Sequence, residues 1–228
     1  MRMLAAIAGA LILGLAQAKP IALPKEDIGD NYGEPPEDLR AVTSWIGLFT
    51  AQGSSADQRG QSRLAPARVR FVKSSDPAGV WELKTTPPNA TLLISGVHNV
   101  APGPAVTVTE SERLDQGKPE VRMRLGQRLY TLRLISRDPE QCDAVISLAS
   151  DGVTQTLFDV KKSPADLSCD GPHFTIQWAG DLDRDGRLDL LVTFSQKYSY
   201  FPRQLLLSSA ARGSALVAEV ARYDRLSM

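Results

Sequence analysis

From Arg68 onward the chain alternates apolar and polar residues in short runs. Arg68-Val69-Arg70-Phe71-Val72, Val121-Arg122-Met123-Arg124-Leu125 and Tyr130-Thr131-Leu132-Arg133-Leu134 each put their apolar members on one face at period two, the signature of half-buried strands. Further strand-like runs fall at 80–84, 91–97, 106–109, 144–148, 154–160, 174–178, 188–194, 204–207 and 216–223. Gly126-Gln127 and Asp151-Gly152 separate adjacent runs; an Asp-Gly pair between two such runs is a hairpin signal. About a dozen short strands at intervals of roughly 8–12 residues predict an all-β fold, an antiparallel sandwich or barrel-like domain. No self-similarity at a period of about 40–60 residues accompanies them.

The start of the chain reads differently. Arg2 precedes a continuous run of apolar and small residues from Leu4 to Leu15, and Ala16-Gln17-Ala18 follows. This is the pattern of a secretory signal peptide over 1–18, with an apolar run too short to span a bilayer. Residues 19–38 are rich in Pro and acidic side chains, which predicts a flexible arm or a wrapped surface strap. A single all-β domain is expected over 39–228. At its start Leu39, Val42, Ile46 and Phe49 fit a helical face, yet Trp45, Ile46 and Phe49 are strand formers, and the balance favours a strand near Trp45. The Gly/Ser/Gln-rich segment 51–66 reads as a long loop.

Charge and cysteine content narrow the picture. Arg2 is the one charged residue in 1–18, so the remaining 210 residues carry 25 basic and 26 acidic side chains. That balance argues against a dedicated nucleic-acid binder or a polybasic membrane binder. The two cysteines are Cys142 and Cys169. In an exported chain an isolated pair is most simply one disulfide. A periplasmic or secreted location is expected, with no stable membrane insertion once the leader is removed.

The sharpest chemistry lies in Asp181-Leu182-Asp183-Arg184-Asp185-Gly186-Arg187-Leu188-Asp189. Asp181, Asp183 and Asp185 alternate, so a tight turn can aim all three at one ion. Gly186 occupies the position where the chain must bend sharply. Arg187 offers its backbone carbonyl, and Asp189 closes the ring directly or through a water. Hard oxygen ligands without Cys or His exclude zinc and copper and favour Ca2+. As far as Asp189 the spacing resembles an EF-hand, but the position of the closing Glu is Val192, and the flanks are strand-like.

The stretch Ala179-Gly180-Asp181 through Asp189-Leu190-Leu191-Val192 resembles the calcium loops of FG-GAP/VCBS-type repeats, as in integrin-like β-propellers. The resemblance covers about 20 of the 228 residues. It implies a strand-loop-strand context in which the acidic residues hold calcium structurally. The chain has one copy, so a sandwich or barrel is expected rather than a propeller. The stretch from Trp178 to Val220 is also similar in pattern to exported bacterial proteins.

Catalytic patterns are sparse. The two histidines are His98 and His173, and no nucleophile elbow, zinc-protease or phosphate-loop motif surrounds them. Glu110, Glu112, Asp115 and Glu120 read as a solvated connection rather than a carboxylate pair for glycoside hydrolysis. Arg122, Arg124, Arg133 and Arg137 form either a cationic platform for an anionic glycan or headgroup, or the wet face of an antiparallel sheet. The expectation is an exported, calcium-stabilised β-domain acting as a binding or surface-association module toward a protein or glycan partner. The rival is a secreted hydrolase with a structural calcium.

Overall fold

The computed structural model describes residues 19–28, 31–50, 61–75, 79–163 and 168–226. The signal-peptide reading of 1–18 and the loop reading of 51–60 concern residues outside this set. The strands are β1 (Ile21–Pro24), β2 (Asn31–Tyr32), β3 (Trp45–Thr50), β4 (Gln61–Lys73), β5 (Trp81–Thr86), β6 (Leu92–Ser95), β7 (Gly103–Leu114) and β8 (Glu120–Leu125). They continue with β9 (Arg128–Ile135), β10 (Val145–Ser150), β11 (Val153–Asp159), β12 (His173–Asp181), β13 (Asp189–Ser195), β14 (Tyr200–Leu207) and β15 (Ala218–Leu226). One short helix, α1 (Glu37–Arg40), stands among them.

All the strand pairings are antiparallel, as expected. The large sheet runs β1-β6-β3-β4-β7-β12-β13-β14-β15, with β5 and β2 branching from β4. It curls until β1 lies beside β15, giving a nearly closed barrel. A second sheet, β11-β10-β9-β8, packs on the outside of this barrel.

Period-two burial explains the layers. In β8, Val121, Met123 and Leu125 are buried while Arg122 and Arg124 are exposed. Those apolar residues meet Phe174 and Ile176 of β12 and Leu190, Val192 and Phe194 of β13 in the core between the sheets. The opposite face of the large sheet sends Leu48, Leu64, Trp178, Leu191 and Leu205 into the barrel interior. Every residue of β13 is buried, because both of its faces are covered. Fully burying a Leu or Phe contributes about 1.5–3 kcal/mol, so β13 and its neighbours are where the scaffold is firmest.

Three expectations need correction. Within 19–38, expected as a flexible arm or a wrapped surface strap, the described residues from Ile21 to Asp27 pack into the fold. All four residues of β1 are buried, and Ile21–Pro24 pair with Leu92–Ser95 of β6. The 3-10 turn at Lys25–Asp27 then buries Asp27, which binds Arg203 through two hydrogen bonds of 2.8 and 2.9 Å and Arg225 through one of 3.0 Å. Residues 61–66 are not loop; they form the first half of β4, paired with β3 on one side and, through Leu64, with β7 on the other. Glu110 and Glu112 lie on β7 and not in a turn. The helical stripe from Leu39 stops at Arg40, after which Trp45–Thr50 form a strand between β4 and β6.

Cys142 and Cys169 form a disulfide, with Cα atoms 5.8 Å apart and 27 residues of separation. It ties the loop before β10 to the loop before β12, and so the outer sheet to the large one. In the chain-entropy account a loop of this size stabilises by about 3–4 kcal/mol.

Candidate metal centre

Strands β12 and β13 carry the acidic loop between them. The two strands pair from His173↔Ser195 to Gly180↔Asp189, so Asp181 ends one strand and Asp189 begins the other. Gly180 allows a tight approach to β7: a Cβ there would fall 1.9 Å from the Val106 carbonyl oxygen. Gly186 has φ +74°, the left-handed bend that glycine adopts without strain. Arg184 has φ +68°, and its guanidinium donates to the Pro102 carbonyl at 3.3 Å, docking the loop against the approach to β7.

The carboxylates of Asp181, Asp183 and Asp189 converge. One oxygen from each lies within 4.8 Å of the others. Asp189 is fully buried and Asp181 nearly so. Backbone N–H groups orient both: Arg184 and Gly186 donate to Asp181 at 2.7 and 3.0 Å, and Leu182 and Ser208 donate to Asp189 at 2.8 Å each. The Asp183 Oδ1 is buried and accepts no hydrogen bond among the described residues. The cluster can hold a metal ion.

Asp185 stands outside this group. One of its oxygens accepts from the Arg187 N–H at 2.8 Å and the other from the Ser208 hydroxyl at 2.8 Å. Ser208 and Ser209 were not among the site residues expected from the sequence. The Ser208 hydroxyl also reaches Asp189 at 3.0 Å, and the Ser209 hydroxyl bonds to Asp183. Their signal lay in register: Leu190 pairs with Leu206, so the residues following β14 must arrive beside Asp189.

Burial and mutual repulsion both disfavour the ionised carboxylates of this cluster. Burial pushes the Asp189 carboxyl up to about 7, against hydrogen bonds from Ser208 and Leu182 that lower it. Burial also raises Asp181, helped by the charges of Asp185 and Asp183. Two carboxylate oxygens no more than 4.8 Å apart carry charges that repel by about 3 kcal/mol or more at an effective dielectric of about 20. A bound cation removes that repulsion and holds all three carboxylates ionised.

The other residues weighed for function fall elsewhere. His98 sits exposed in the turn after β6. His173 begins β12, its ring centroid 4.8 Å from that of Phe201 and its Nε2 buried. Burial first, then the charges of Arg203 and Arg113, lower its pKa to about 4. Arg122, Arg124 and Arg133 share the exposed face of the outer sheet, where both Arg122 and Arg133 bond to Glu120. Those bonds hold Glu120 below the usual carboxylate range. Arg137 lies beyond the end of β9, off the sheet.

Comparison with protein-family models, with curated proteins and with solved structures finds no match. Among the described residues no helix is long and apolar enough to cross a membrane.

Proposed function

We propose that this chain is an exported β-domain whose acidic loop holds a structural Ca2+, and that the domain serves as a binding or surface-association module. The convergence of Asp181, Asp183 and Asp189 around buried carboxylate oxygens carries this reading. Oxygen ligands facing each other across calcium at about 2.3–2.6 Å stand close to 5 Å apart, which the observed span accommodates. On this reading the loop acts as FG-GAP/VCBS-type loops do, and the Cys142–Cys169 bridge suits an oxidising, periplasmic or secreted setting. The ion would join the end of β12 to the start of β13 and, through Ser208 and Ser209, to the end of β14. Its work would be to hold three adjacent strand ends in register.

Melting curves and calorimetry test this directly. With an affinity of about 10⁻⁴ M, roughly millimolar calcium adds about 1.4 kcal/mol to the folded state. The expected outcome is a melting temperature lowered by EDTA by a few degrees and restored by calcium better than by magnesium. Identical melting in EDTA and in calcium, with no heat of binding, would end the reading.

A further inference from the structure

A groove of about 350 Å³ opens between β4, β5 and the segment around α1, elements that the metal centre does not use. Trp45, Phe71 and Trp81 line it, with Leu39 beneath and Arg40 and Arg70 among its walls. Trp45 is 5% exposed and forms floor, whereas Phe71 and Trp81 are only partly buried. Two of the protein's three tryptophans therefore meet at one open depression. The Lys73 ammonium lies 6.0 Å over the Trp81 ring, next to the groove.

Among the described residues, the charged side chains that line this groove are Arg40 and Arg70. Arg40 and Arg70 form no ion pair among the described residues, and no carboxylate lines the groove. Other depressions mix the signs: Asp38 and Asp224 face Lys19 and Arg222 in one, Asp151 faces Arg128 and Arg187 in another, and Asp159 faces Lys162 and Arg222 in a third. In a chain of zero formal net charge, two unpaired guanidinium groups beside partly exposed aromatic rings favour an anion with an apolar face of its own.

We propose that this groove binds an acidic saccharide, with one uronate-type ring stacked in the Phe71–Trp81 depression and its carboxylate on Arg40 and Arg70. The axial C–H groups of a pyranose offer a weakly positive apolar patch to the negative face of an aromatic ring. Guanidinium groups bind carboxylates through charge-assisted hydrogen bonds. The volume lies at the small end of ligand pockets, the size of one or two sugar rings rather than a folded partner.

The test uses trigalacturonate as probe, followed by tryptophan fluorescence and by NMR. It is run in EDTA so that calcium cannot bridge sugar and protein. Saturable binding is expected, weakened at least about tenfold by Arg40→Gln with Arg70→Gln, by Trp81→Ala, and by full methyl esterification of the probe. The arginine variant alters exposed side chains, and an unchanged circular dichroism spectrum and melting temperature show that it is folded. The proposal is overturned by absence of saturable binding, by equal affinity for the esterified probe, by variants that bind like the wild type, or by a poly-glutamate peptide of equal charge that binds as tightly. The metal reading fails on a different observation, a melting temperature insensitive to chelation, so the two stand or fall separately.

Discussion

Replacing Asp183 by Asn and Asp189 by Asn removes the same charge but different hydrogen bonds. Both Asp189 oxygens accept backbone N–H groups, from Leu182 and Ser208, and an Asn there leaves one buried donor unmatched. That costs about 1–3 kcal/mol whatever the ion concentration. Asp183 accepts only the Ser209 hydroxyl and leaves Oδ1 unpartnered. Asp183→Asn should therefore melt at or above the wild type in EDTA, and should lose the calcium response; calorimetry with and without chelator separates the two variants. His173 offers a second check. Its folded pKa of about 4 lies below the ordinary value of 6.5, so below about 6.5 the unfolded chain gains a proton that the folded one refuses. The His173 contribution to stability therefore falls as pH drops from about 6.5 toward 4, while in metal-free protein the raised Asp189 carboxyl acts in the opposite direction. His173→Phe keeps a ring against Phe201 and should gain stability relative to the wild type as pH is lowered from 7 to 4.5, the difference between the two melting curves recorded in EDTA at each pH isolating the histidine. The four aspartates, Gly186 and the bend were legible because hard-cation chemistry leaves a spacing in the sequence. Ser208 and Ser209 were not, because only strand pairing brings them to the loop.

At the level of elements, legibility followed exposure. Strands with one wet face, such as β8 and β9, announce themselves by alternation. Strand β1 offers just Ile21-Ala22-Leu23 between prolines, and its burial comes from β6 beside it and β15 beyond. The first half of β4 carries Ser62, Arg63 and Pro66, weak strand formers. Pro66 falls where the neighbour on one side changes from β7, which ends its pairing at Leu64, to β5, which begins at Arg68. A missing N–H is tolerated at such a switch. The disulfide links elements that no strand pairing joins, the outer sheet and the entry to β12. Cys142→Ser with Cys169→Ser should lower stability by about 3–4 kcal/mol, read from urea denaturation. The reduced wild type should match the double variant, and a bridge without energetic weight would leave the denaturation midpoints together.

Over the whole molecule, the contacts of Asp27 span the fold. Its partners Arg203 and Arg225 lie 176 and 198 residues further along the chain, and together they pin the 3-10 turn after β1 to β14 and β15. Asp27 is fully buried, so Asp27→Ala leaves Arg203 charged and unmatched and should cost about 3–5 kcal/mol. Contacts between such distant residues form late. The loss should therefore appear as faster unfolding with little change in the folding rate, measured by stopped-flow in denaturant; a folding rate that fell in step with stability would place the triad in the nucleus instead. A further consequence concerns the order in which a nascent chain emerges. Strand β1 has its neighbour β6 soon after it along the chain, but the seam it closes needs β14 and β15, where Arg203 lies 176 residues beyond Asp27. Until they arrive, the barrel interior around Leu48, Leu64 and Leu92 faces water, and a chain cut short of Arg203 has nothing to offer Asp27. Closure of the seam thus waits on β14 and β15, and a chain lacking them leaves that interior open to proteolysis.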